Sequence, residues 1–173
     1  VMSLSSLVIA AVGARGIVSL EHTLASVGTK EEIAREAMDL RVDVIAISRM
    51  TYQLALKPGG AAEFRTEAET RAKEMLARLP KIEAGADETQ MLLLQAIRGS
   101  LDTYFNDIRG MIDHAEANPG DAAAVRSLLD QVLYAQKAVT VAVKEYSTYS
   151  GNALGAARAD ALESSRMALM IDR

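Results

Sequence analysis

From Ile33 onward, apolar or small residues recur at Ile33, Ala37, Leu40, Val44, Ile47 and Leu54, a 4-3 spacing that lays them along one helical seam. A second row, Met38, Val42, Ile45, Tyr52 and Leu56, runs beside the first. Two adjacent stripes predict packing against more than one neighbour. The periodicity returns after residue 90 with Leu94, Ile97, Leu101, Tyr104, Ile108 and Met111. It returns again with Val125, Leu129, Val132, Val139, Val143 and Tyr146 before the chain turns Ala-rich. At such spacing, Met and aromatic side chains read as bundle core rather than as a cofactor box.

Breaks in this pattern divide the chain. Lys57-Pro58-Gly59-Gly60 and Asn118-Pro119-Gly120 each stop a strong helical run that resumes at once. Between them, Pro80 removes a helical hydrogen bond and disfavours helix at Leu79, and Gly85 is a poor interior residue. Asp87 with Gln90 then makes a capping box. Helices are predicted up to Lys57, from Ala61 to Leu79, from Glu88 to Glu116, and from Asp121 onward. Gly28-Thr29 with Glu32 is another capping-box pattern, and it predicts a break or bend in the first helix. At about 1.5 Å per residue the first and last helices would run roughly 85 Å and 80 Å. The expected fold is all-α, an antiparallel up-down-up-down four-helix bundle with two long outer helices and a shorter inner hairpin. Both Pro-Gly stops would sit at its tip and both termini at its base.

Composition supports the helical reading and narrows the chemistry. Of 173 residues, 50% are apolar, only 4% aromatic and 3 are Pro, enough for one core but poor in strand formers. A net charge of -4 and a pI near 5.3 give no basic face for nucleic acid. With no Cys, disulfides, thiolate catalysis and covalent haem attachment are excluded. His22 and His114 lack a Glu three residues before them, so no Glu-x-x-His metal pattern exists, and no cofactor is expected. No Gly-rich phosphate loop and no nucleophile paired with a base point to an enzyme.

The stretch "VMSLSSLVIAAVGA", residues 1 to 14, carries no charge before Arg15. It is shorter than the roughly 20 residues a bilayer needs and lacks a signal peptide's basic start. Two readings stay open for it, the remnant of a transmembrane helix or a buried core segment.

Counting about 16 to 18 positions from the Pro-Gly turns brings Arg41, Arg78, Arg98 and Lys137 to one height, roughly 25 Å below the tip. One cation per helix in one layer suits a carboxylate or other small anion, because Arg offers a bidentate fork. Asp39, Asp43, Glu74 and Asp102 lie near enough to make these ordinary surface pairs instead. Arg49 falls in the second apolar row between Ile45 and Tyr52, which predicts partial burial beside Asp130 or Asp107. Tyr52 is a candidate ligand contact on the same row. Tyr146 and Tyr149, in "EYSTYSGNALG", are candidate pocket-lining residues or core-edge residues, and Gly151 with Gly155 would permit close helix approach.

This segment order, with the apolar start, "MALMI" near the finish and "DLRVDVIAISRMTYQLAL" over residues 39 to 56, resembles the extracytoplasmic four-helix sensor domain of bacterial transmembrane receptors. Methyl-accepting chemotaxis proteins and sensor histidine kinases both carry such domains. The resemblance covers the whole chain but rests on architecture rather than on a specific motif. It implies that residues 1 to 14 end a first transmembrane helix and that residues 15 to 173 form a sensor domain leading into a second. It also implies an inner-membrane receptor with this domain periplasmic, a homodimer, and a small ligand or a binding protein as the stimulus. A displacement of the last helix would then control a cytoplasmic kinase pathway. A soluble structural scaffold lying on an apolar surface is the reading from another class.

Overall fold

The structure, a computed structural model, describes residues 2–171, with side chains described from Gly16 to Met170 except Ala168. Among these residues the chain forms four α-helices and no strand: α1 (Met2–Leu56), α2 (Ala61–Glu83), α3 (Glu88–Ala117) and α4 (Ala122–Ile171). A 3-10 turn at Pro58–Gly60 joins α1 to α2.

Local chemistry accounts for most of the boundaries. Gly60 N–H donates to the Lys57 carbonyl at 3.1 Å, which closes the first turn tightly. The Asp87 carboxylate accepts from Gln90 N–H at 2.7 Å while Gln90 Oε1 accepts from Asp87 N–H at 2.9 Å, so the capping box starts α3 as predicted. At the second Pro-Gly stop, Asn118 Nδ2 donates to the His114 carbonyl at 3.0 Å, and Gly120 takes φ +87°, a conformation that favours glycine. Asp121 then accepts from Ala124 N–H at 2.9 Å and opens α4.

Two boundary expectations are corrected. α1 is unbroken at Gly28, because Thr29 Oγ1 donates back to the Ala25 carbonyl at 3.1 Å instead of capping a new helix. α2 continues through Pro80 to Glu83, and the turn falls at Ala84 to Ala86. Leu79 and Ile82 on either side of the proline are both buried, and their burial offsets the lost hydrogen bond.

The chain divides into two compact units. The smaller joins the start of α1, up to Ala34, with α4 from Ser150 on, and the larger spans Arg35–Tyr149. In the larger unit all four helices bury side chains: Leu40, Ile47 and Leu54 of α1, Met75 and Leu79 of α2, Ile97 and Leu101 of α3, and Val132, Val139 and Val143 of α4. Each fully buried side chain of this size contributes about 1.5–3 kcal/mol of transfer free energy. In the smaller unit the interior is thin. Leu20, Val27, Leu154 and Ala157 are only half-buried, and Arg158 bonds Glu31 at 2.8 Å across the helix pair.

The second row of α1 is a further correction. Met38 is 55% exposed, Val42 59%, Ile45 63%, Tyr52 50% and Leu56 81%. The row lies about 200° round the helix from the buried one, since Ile45 and Ile47 are two positions apart. Within the chain, α1 therefore covers one apolar face and leaves the other to solvent. No helix of the described residues is long and apolar enough to cross a membrane. The side chains of residues 1 to 14, expected to end a transmembrane helix, lie outside the described ones.

Candidate functional site

The cation layer foreseen at Arg41, Arg78, Arg98 and Lys137 does not come together as one site. Arg78 is taken by α1, where Glu36, Asp39 and Asp43 recur one turn apart on the side facing α2. Its Nε donates to Asp43 at 3.0 Å and its Nη1 to Glu36 at 3.1 Å and Asp39 at 3.4 Å. Arg71 adds a longer contact to Asp43 at 3.9 Å. Arg98 Nη2 bonds Glu83 at 2.6 Å, tying α3 to the end of α2. Arg41, Arg49 and Lys137 stand on exposed surface with no ion pair among the described residues.

Burial sets the electrostatics of the Arg78 cluster. Asp43 is only 5% exposed, and desolvation pushes its carboxyl above the usual value, a rise that Arg78 and then Arg71 only partly offset. Burial works to lower the Arg78 pKa, but the bond to Glu36 and the charges of Asp43 and Asp39 outweigh it. The cluster is a partly buried clasp between α1 and α2, in which Nε and Nη1 of Arg78 are already bonded to three carboxylates of α1.

The remaining candidates separate into framework and surface. Tyr146 is fully buried core, and the Tyr149 hydroxyl donates to Asp87 Oδ2 at 2.9 Å, fastening α4 to the cap of α3. Neither lines a ligand cavity. Arg49 is exposed rather than partly buried, and its expected partner Asp107 accepts instead from Gln131 Nε2 at 2.9 Å. Arg49 and Tyr52 share the outward face of α1, three residues apart. Gly151 and Gly155 are exposed, and a Cβ at either would meet open space, so the close approach expected there is not made.

Sequence reasoning missed several polar contacts inside the larger unit. Tyr104 OH meets Thr51 Oγ1 at 2.7 Å and donates to the Ile47 carbonyl at 3.2 Å, and burial raises the Tyr104 pKa. Gln136 Nε2 donates to Ser48 Oγ at 2.9 Å between α4 and α1. On the surface, Arg65 bonds Asp113 at 2.5 Å and Glu116 at 2.6 Å. A polar residue one turn from a buried one was the only available signal for these pairs. An open groove of about 390 Å³ runs between α3 and α4, edged by Asn106, Asp107, His114 and Gln131 over Met111 and Val132. Its two carboxylates are already bonded, Asp107 by Gln131 and Asp113 by Arg65. Among the described residues, no three His, Asp or Glu side chains converge as metal ligands would. Compared with protein-family models, curated proteins and solved structures, the chain matches none.

Proposed function

We propose that the chain is a non-catalytic sensor domain of a transmembrane signal-transduction receptor, in which the outward face of α1 meets the stimulus. The domain takes the antiparallel up-down-up-down arrangement. That reading is supported by pairs that run in opposite chain directions: Arg65 with Glu116 and Arg98 with Glu83 for α2 and α3, and Gln131 with Asp107 and Tyr149 with Asp87 for α3 and α4. The 3-10 turn with the Asp43–Arg78 bond supports the same for α1 and α2.

One observation carries the functional reading. The bundle spends Arg78 and Arg98 on its own carboxylates but leaves Arg41 and Arg49 exposed and ionically unpaired on α1, with Arg49 set among Ile45 and Tyr52. A guanidinium beside an aromatic and an aliphatic side chain suits a small carboxylate with an apolar body. Ligand held there biases the position of α1 against α4, and flanking membrane helices pass that bias to a cytoplasmic kinase pathway, in a chemotaxis transducer or a sensor histidine kinase. The exposed apolar row also favours the scaffold reading, in which no small ligand exists.

A thermal-shift screen of the 173-residue chain against small carboxylates, amino acids and aromatic acids separates the two readings. Ligand at about 100 times its Kd should stabilise by roughly 2.7 kcal/mol, a rise of several degrees in Tm. The rise should vanish in Arg49→Ala or Arg41→Ala. No shift at millimolar ligand, or a hit retained in both variants, overturns the α1 site.

A further inference from the structure

We infer that three polar ties, each to a different neighbouring helix, decide which of two apolar faces of α1 the bundle buries. The inference concerns the inward side of α1 and holds whatever meets the outward side. Over residues 38 to 56, α1 turns Leu40, Val44, Ile47, Met50 and Leu54 inward, each at most 7% exposed. It turns Met38, Val42, Ile45, Tyr52 and Leu56 outward, at 50–81%. Large apolar side chains are equally numerous on the two sides, so the hydrophobic gain alone does not tell one face from the other. A polar residue at a seam position does, because burial is tolerated only where a partner receives it.

On the inward side, Asp43, Ser48 and Thr51 are each received. Asp43 is 5% exposed and accepts from Arg78 Nε of α2 at 3.0 Å. Ser48 Oγ accepts from Gln136 Nε2 of α4 at 2.9 Å. Thr51 is fully buried and meets Tyr104 OH of α3 at 2.7 Å, and the same Tyr104 hydroxyl donates to the Ile47 carbonyl at 3.2 Å. From residue 43 to residue 51 the ties cover about 12 Å of helix, and they engage α2, α4 and α3 in turn. The Gln136 tie is the weakest, since its Oε1 is buried without a partner.

The outward row carries Arg49 at the corresponding place. A half-turn of α1 would bring that guanidinium into the interior and carry Asp43, the buried carboxylate among the described residues, out of it. An unpaired buried charge costs more than a neutral hydrogen bond contributes, so Arg49 and the ties act in the same direction.

Removing the partners rather than the α1 residues tests this, because the inward face then keeps its own composition. Arg78→Met, Tyr104→Phe and Gln136→Leu are combined with Arg49→Leu, and Ile45→Cys adds one thiol to a chain that has no Cys. With the ties intact, the exposed thiol at residue 45 should react freely with a maleimide in dilute solution. In the combined variant its labelling should slow about fivefold or more as the outward row turns in. A second set of amide peaks should appear over residues 38 to 56 while circular dichroism stays helical. Arg49→Leu by itself should change neither. A combined variant that stays helical with unchanged labelling and one set of peaks overturns the proposal. So does equal slowing in Arg49→Leu alone, which would give the choice to Arg49 and not to the ties. A combined variant that unfolds overturns it too, because the ties would then hold the bundle together instead of choosing between two faces.

Discussion

Replacing Arg78 by Ala is expected to destabilise the larger unit by about 2–3 kcal/mol at pH 7, as removal of one partner from a buried ion pair does, lowered here because Arg78 is partly solvated. The loss arises less from three missing bonds than from Asp43, which stays buried with only the distant Arg71 to face it. The pH dependence has a definite sign. The folded-state pKa of Asp43 is raised, so its protonation favours the fold. That contribution is fully present below the ordinary value of 3.8 and is lost as pH rises through the raised folded value. Without Arg78 the folded value climbs higher and the window widens. Arg78→Ala should therefore recover stability as pH is lowered from 7 toward 5, while still folded. Adding Asp43→Asn should restore most of the loss at pH 7. Urea titrations of the single and double variants at both pH values measure this. A loss under 0.5 kcal/mol, or no rescue by Asp43→Asn, would show that the clasp is an ordinary surface pair, for which about that much is typical.

Ile47→Ala and Ile45→Ala should differ by about 3 kcal/mol, although they make the same change on the same helix two positions apart. Ile47 is fully buried, and truncation there leaves a cavity lined by neighbours that cannot collapse, at a cost of about 2–5 kcal/mol. Ile45 is 63% exposed and contributes little burial. Ala is also the better helix former by a few tenths of a kcal/mol, so Ile45→Ala should be neutral or slightly stabilising. Urea unfolding of the two variants reads both. Equal losses would mean that the outward row is packed within the chain and that both stripes belong to one core.

Those two isoleucines also mark where the sequence stops being informative. Periodicity marked out both rows of α1 because it depends only on helix geometry, but the second, read as a stripe beside the first, lies on the opposite, exposed side, and periodicity carries no information about what covers a face. The turns were legible for a similar reason. Pro58-Gly59-Gly60, Asn118-Pro119-Gly120 and the Asp87–Gln90 box act over a few residues, and their chemistry is complete within the stretch that contains them. The misread boundaries, at Gly28-Thr29 and Pro80, are places where a local stop signal was outweighed. Thr29 turned its hydroxyl back along the helix, and burial of Ile82 carried α2 one turn past its proline. The candidate site was less legible. Equal height in a bundle does not fix which way a cation points, and the choice of Arg78 for Asp43 or of Tyr149 for Asp87 is made by partners 35 and 62 residues away. Arg41 and Arg49, which the bundle does not pair, stand with Tyr52 as the proposed contact residues.

Amide spectra of the labelled 18.5 kDa chain, titrated with a small carboxylate that raises its melting temperature, test most directly whether the outward side of α1 meets the proposed stimulus. Ligand-dependent shifts should concentrate at residues 38 to 56 of α1, strongest around Ile45, Arg49 and Tyr52, while amides of α2 and α3 stay fixed. Shifts that cluster on another helix, or a spectrum unchanged up to millimolar ligand, would contradict the outward side of α1 as the ligand site.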